Sequence, residues 1–176
     1  VAVIEADRRV TYQEIDRWSQ SIAAQLAKAG LNVGDFVVLT GSRGADTIAA
    51  MLGVARAGGC FVPIESDLPP DRINAQLACV RPRFAIGPNT GQFSSCNVEV
   101  WIDPTFDESE SAAFAAVNGI DLHSAFYSMF TSGTTGEPRG SIIPHRAILR
   151  LVEDAWFLPN GSGFKMFHAA PLAFDA

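Results

Sequence analysis

Residues 36–64 read FVVLTGSRGADTIAAMLGVARAGGCFVPI: an apolar run, a helical stretch, then a second apolar run. Phe36-Val37-Val38-Leu39-Thr40 is too continuously apolar to leave one face in water, which is the pattern of a strand covered on both sides in a parallel sheet. From about Ala45 to Ala57, Ile48, Leu52 and Ala55 recur on one side at helical spacing. Gly58-Gly59 breaks that stretch, and Cys60 to Ile64 repeats the strand signal. Strand, helix and strand in this order imply a doubly wound α/β sheet with flanking helices.

Toward the carboxyl end the alternation continues. Pro69-Pro70 opens a helical stretch through Ile73, Leu77 and Val80, and Arg83 to Gly87 and Val98 to Ile102 read as further strands. Asp103 to Asp121 is acidic and alanine-rich and reads as a surface connection without chemistry. Phe126 to Thr131 and Ser141 to Ile143 read as strands, and His145 to Phe157 as a helix with Ile148, Leu149 and Val152 inward. Toward the amino end, Val1 to Ala6 and Arg9 to Tyr12 form a hairpin pattern. Thr11 and Glu14 then make a capping box, followed by Ile15, Trp18, Ile22 and Leu26 at helical spacing until Gly30 offers a left-handed cap.

Bulk composition narrows the function. The 176 residues are 48% apolar and 18% charged, enough apolar matter for a core and too much for a disordered chain. A net charge of -6 repels polyanions, so no nucleic acid or anionic membrane partner is expected, and any phosphate must be met by a local device. Cys60, Cys79 and Cys96 are odd in number and widely spaced, which fits reduced, buried thiols in a cytoplasmic protein rather than a disulfide framework or zinc motif. No apolar run reaches the roughly 18 residues of a membrane span. The chain starts at Val1 and stops inside the apolar stretch Pro171 to Ala176, so residues 1–176 read as part of a domain cut at both ends.

The chemistry concentrates in Thr131-Ser132-Gly133-Thr134-Thr135-Gly136-Glu137-Pro138-Arg139-Gly140, where four hydroxyls, three glycines and a fixed cation fall between two apolar strands. Glycines let successive amide N–H groups converge on an anion, hydroxyls add donors that rotate to follow it, and Arg139 supplies charge. An ordinary hairpin turn uses about two to five residues, so ten with this composition read as an anion cradle. The spacing is not that of a Walker loop, which carries Gly-Lys-Ser/Thr and opens a helix.

The stretch Tyr127 to Gly140 resembles the signature phosphate loop of the adenylate-forming superfamily: acyl-CoA synthetases, luciferases and nonribosomal peptide synthetase adenylation domains. Val10-Thr11-Tyr12-Gln13-Glu14-Ile15 is similar to the family's first core motif, Arg56 to Ile64 to the second, and Phe174-Asp175-Ala176 to the start of the fourth. The resemblance implies that substrate carboxylate attacks the α-phosphorus of ATP with Mg2+ bound, giving an acyl-adenylate and pyrophosphate. The acyl group then passes to a thiol, here the phosphopantetheine of a downstream peptidyl carrier domain. By resemblance Thr131, Ser132, Gly133, Thr134, Thr135, Gly136, Arg139 and Gly140 bind ATP phosphates. Arg139 replaces the family's usual Lys and turns a compact ammonium into a planar fork. Glu137, beside a triphosphate, is expected to face solvent.

Asp175 carries the substrate expectation. In amino-acid-activating members the aspartate of the Phe-Asp motif pairs with the substrate ammonium, so the resemblance implies an amino acid as substrate, with Ala176 next in the pocket. His145 is assigned a capping or packing role, His123 and His168 core or edge positions, and Trp18, Trp101 and Trp156 the core. The family's ribose-binding aspartate, magnesium-binding glutamate and carboxy-terminal lysine lie beyond Ala176, so the isolated chain is expected to be inactive. The rival readings are an acyl-CoA or aryl-CoA ligase, which shares the loop, and a non-catalytic nucleotide-binding module.

Overall fold

The computed structural model describes residues 1–89, 91, 93, 98–105, 114–115, 117–131, 138–153 and 165–173. Strands β1 (Val3–Ile4) and β2 (Arg9–Val10) pair as a small antiparallel hairpin. Helix α1 (Tyr12–Lys28) follows, then β3 (Phe36–Leu39), α2 (Ala45–Arg56), β4 (Cys60–Pro63), α3 (Pro70–Val80), β5 (Phe84–Ile86) and β6 (Val100–Ile102). The chain continues through β7 (Ala125–Thr131), β8 (Arg139–Pro144) and α4 (His145–Glu153). Six strands form one sheet in the order β6-β5-β3-β4-β7-β8, all neighbours parallel except the final β7–β8 hairpin.

The winding follows from the crossovers. The step from β3 through α2 moves to β4 on one side, and the step from β4 through α3 returns past β3 to β5 on the other. Crossovers of one hand travelling in opposite directions put their helices on opposite faces. Side-chain alternation agrees: Val37 and Leu39 of β3 pack with α1 and α2, whereas Val38 packs with Val62, Ile73 and Leu77 on the α3 side. The continuous apolar run of β3 is therefore a strand buried on both faces.

Helix α1 begins as its sequence dictates. The Thr11 hydroxyl accepts from the Glu14 amide at 3.2 Å, and the Glu14 carboxylate accepts from the Thr11 amide at 2.6 Å. Its end passes through Ala29 to Gly30 at φ 81°, a left-handed turn that favours glycine. Ile15, Trp18, Ile22 and Leu26 are buried. Glycine 53 of α2 lies where α1 comes closest: a Cβ there would stand 2.7 Å from Ile22 Cγ2 and 3.0 Å from the Ser19 carbonyl.

Several expectations are corrected. Strand β8 starts at Arg139, two residues before Ser141, because the antiparallel register continues to the Thr131–Arg139 pair. Arg139 and Gly140 are thus strand residues, and seven residues, 132–138, separate the closing pair. Helix α4 is described over His145–Glu153, and 154–157, Trp156 included, lie outside the described residues; Leu149 (41%) and Val152 (67%) are exposed rather than inward. Nothing among the described residues covers that side of α4, and Ile142 of the edge strand β8 is likewise open. Cys60 is buried as expected, Cys79 is exposed, and Cys96 is outside the described residues. His123 and His168 lie on the surface, in a turn and in an open segment, not in the core. The connection after Asp103 also does more than span the surface, since Pro104 accepts from the Trp18 indole at 2.6 Å and Phe114 packs on the α1–α2 core.

Replacing Gly53 by Ala is predicted to force α1 and α2 apart and cost about 1–3 kcal/mol in unfolding free energy. Denaturant melts of the full-length protein and its G53A variant measure this.

Candidate active site

The carboxyl ends of β3, β4, β5, β6 and β7 all point to one edge of the sheet, since these strands are parallel. In open α/β sheets that edge is where ligands bind. Thr131 at the carboxyl end of β7 lies at it, and in the sequence 132–138 connects β7 to β8.

The base of this loop is built from both faces of the sheet. Phe61 of β4 pairs with Tyr127 of β7, and their rings stack at 5.7 Å, while Phe126 meets Phe61 edge-on at 5.2 Å. Ser128 is buried at 1% exposure. Phe130 and Gly140 are register partners, and a Cβ at Gly140 would lie 3.5 Å from the Phe130 ring and 3.3 Å from Ser128 Oγ, so the hairpin is closely packed at this pair. From α3, the Cys79 thiol contacts the Pro138 carbonyl at 3.7 Å. The Thr131 hydroxyl reaches the Arg139 carbonyl at 3.5 Å across the loop mouth.

Among the expected phosphate-binding residues, Thr131, Arg139 and Gly140 are brought together at this mouth and all three are exposed. No carboxylate among the described residues pairs with Arg139, which leaves its guanidinium open to an outside anion. Ser132, Gly133, Thr134, Thr135, Gly136 and Glu137 lie outside the described residues, as do Asp175 and Ala176. Among the described residues no group of three or more His, Cys, Asp or Glu side chains could hold a metal ion. Burial pushes the Cys60 thiol up to about 12, so it stays protonated near neutrality and is no nucleophile.

His145 joins the hairpin to α4. Its amide donates to Ser124 O at 3.0 Å, the Arg146 amide donates to Leu122 O at 2.9 Å, and its ring meets Phe126 edge-on at 4.9 Å. Those contacts fit the expected packing role. Burial holds the imidazole below its ordinary value, opposed in part by Asp121. Asp121 is itself held low, chiefly by the His123 amide and then by Ser124.

The sequence reading missed a second feature of the same edge. A cavity of about 790 Å³ opens at the ends of β3, β5 and β6, lined by Glu5, Arg8, Trp18, Arg43, Trp101 and Asp103 among others. It sits at the switch point where the chain reverses its direction of travel across the sheet. The available signal was Gly41-Ser42-Arg43-Gly44, a short polar loop between an apolar strand and a helix. Gly44 has no side chain to cap α2, and Glu5 does so from the hairpin, accepting from the Ala45 amide at 2.6 Å.

Known proteins place this arrangement. The family model described as AMP-binding enzyme matches residues 1–176. Surfactin synthase subunit 2 of Bacillus subtilis (strain 168) is 34% identical over 182 residues, covering 99% of this chain and 5% of that protein. Tyrocidine synthase 2 of Brevibacillus parabrevis is 36% identical over 155 residues, covering 86% of this chain and 4% of its own length. Among solved structures, the nonribosomal peptide synthetase FmoA3 in its AMPPNP-bound form superposes with a TM-score of 0.74 at 25% identity, over 88% of this chain and 16% of that one.

A histidine kept neutral by folding destabilises at low pH. The unfolded chain, with the higher pKa, takes up the extra proton, so the neutral ring's contribution is complete above about 6.5 and is lost as pH falls below it. The full-length protein is predicted to lose more Tm between about pH 7.5 and about pH 5.5 than its His145→Gln variant. Equal losses in a pH series of thermal melts contradict this.

Proposed function

The chain belongs to the AMP-binding enzyme family, and on that footing we propose that the protein carrying it activates an amino acid with ATP for transfer to a carrier domain. The supporting observation is the hairpin mouth, where Thr131, Arg139 and Gly140 converge at the carboxyl end of β7 with no internal partner for the Arg139 charge among the described residues. A loop of seven residues with this glycine and hydroxyl content can turn its amides inward on phosphate oxygens. We assign Ser132, Gly133, Thr134, Thr135 and Gly136 to that cradle, with Arg139 neutralising charge on the leaving pyrophosphate. Magnesium enters as the counter-ion of the nucleotide.

The reaction asks the protein to hold two anions side by side and to stabilise a pyrophosphate as it departs, which is positioning and charge neutralisation rather than covalent chemistry. Asp175 selects among carboxylic acids: its carboxylate rewards a substrate ammonium and penalises a neutral acid. These two relatives are synthases by name, and this chain spans only about one-twentieth of the length of each. Transfer of the acyl group to a phosphopantetheine thiol on a downstream carrier belongs to the same proposal.

Amino-acid-dependent ATP–pyrophosphate exchange by the full-length protein tests the reading. Arg139→Ala is predicted to raise the KM for ATP roughly 10- to 100-fold, the scale of a lost charge-assisted hydrogen bond, and Arg139→Lys to restore much of it. Asp175→Asn is predicted to raise the KM for the amino acid at least about tenfold with little change for ATP. Exchange driven by fatty or aryl acids and by no amino acid contradicts the proposed substrate.

A further inference from the structure

The switch-point cavity has a floor tied together by side chains that bond to backbone. The Thr40 hydroxyl donates to Pro88 O at 2.9 Å, the Trp101 indole to Gly87 O at 2.6 Å and the Trp18 indole to Pro104 O at 2.6 Å. Gly87, at φ 122°, lets β5 end hard against β3, since a Cβ there would collide with the Thr40 carbonyl oxygen. With their N–H groups given to these carbonyls, Trp18 and Trp101 line the cavity as apolar ring surface.

Charge is set into this lining without being paired. Glu5 and Asp46 are half-buried and converge on Gly44, where a Cβ would collide with Asp46 Oδ1 and lie 3.0 Å from Glu5 Oε1. They accept from the Ala45 and Thr47 amides at 2.6 and 2.8 Å. A helix start supplies about half a positive charge, so one carboxylate is enough to cap α2. The second leaves a repulsion that a cation between them would relieve. Arg8 and Arg43 stand on the exposed rim, Arg8 over the Trp18 ring at 5.3 Å and Arg43 donating to the Ala169 carbonyl. Among the described residues neither guanidinium forms an ion pair, although Glu5, Asp46 and Asp103 line the same cavity.

We propose that this cavity is a second small-molecule site, separate from the phosphate hairpin, for an aromatic α-amino acid or a zwitterion like it. The ammonium lies between Glu5 and Asp46, the carboxylate on Arg8 and Arg43, and the ring against Trp18 and Trp101. A ligand of one charge fits less well: a lone cation would face two arginines and a lone anion three carboxylates. The volume of about 790 Å³ lies in the range of small-ligand sites, roughly 300–1,000 Å³. None of this rests on the activity proposed above.

The probe is L-phenylalanine, compared with phenethylamine, which lacks the carboxylate, and N-acetyl-L-phenylalanine, which lacks the ammonium. Amide hydrogen exchange of the full-length protein without ATP reads the cavity locally. L-Phenylalanine at about 1 mM should slow exchange across residues 41–46 and 101–105 at least about threefold, and neither analogue should do so. Arg8→Gln and Glu5→Gln, which remove a charge and keep a polar amide, should each raise the half-protecting concentration about tenfold. Should E5Q loosen α2 by itself, R8Q on the exposed rim decides. No slowing in those segments, equal slowing by the analogues, or an unchanged response in R8Q overturns the proposal. Pyrophosphate exchange plays no part in this readout, so failure of the proposed activity and failure of this site are seen separately.

Discussion

The pairing of Phe61 with Tyr127, reinforced by the stacking of their rings, sets β7 into the sheet beside β4. The proposed phosphate site depends on that junction. Because β7 runs parallel to β3, β4, β5 and β6, its carboxyl end delivers the glycine and hydroxyl loop to the edge where the other strands also end. Because β8 returns antiparallel, Arg139 comes back opposite Thr131 and not somewhere along a crossover. A slip of one residue in this hairpin would send Ser128 to the opposite face and carry Arg139 away from the mouth.

The same edge carries two devices at different points of the sheet. Near β7 an exposed cation, Arg139, stands at the hairpin mouth with no internal partner for its charge among the described residues. Near β3 and β5, the chain answers its own charges: Glu5 caps α2, Asp103 accepts from Thr105, and Arg43 reaches Ala169. The first is suited to receive an outside polyanion. The second ties the amino-terminal hairpin and a distant carboxyl segment to the sheet edge.

Much of this was legible in the sequence for identifiable reasons. The run Phe36 to Thr40 could only be a doubly covered strand, and the Thr11–Glu14 box marked a helix start at which both reciprocal hydrogen bonds are made. The β7–β8 hairpin was legible because two apolar runs flank a glycine-rich segment. The misses share a cause, since burial depends on partners distant in sequence. The periodicity of α4 shows an apolar side without saying whether anything lies on it, and Leu149 and Val152 are open. An apolar environment in sequence likewise does not bury His123, His168 or Cys79. The extent of β8 was underestimated because Arg139 and Gly140 look like loop residues, while the strand continues through backbone pairing that is indifferent to side-chain type. The Arg43–Ala169 contact joins positions 126 residues apart and no local pattern announces it.

The proposed role of the segment from Thr131 to Gly140 is to receive the triphosphate of ATP. A crystal structure of the full-length protein with a nonhydrolysable ATP analogue and magnesium measures this most directly. The phosphate oxygens should lie within hydrogen-bonding distance of the loop amides and hydroxyls, with the Arg139 guanidinium turned toward them. A nucleotide bound elsewhere on the sheet edge, with this hairpin empty, would contradict it.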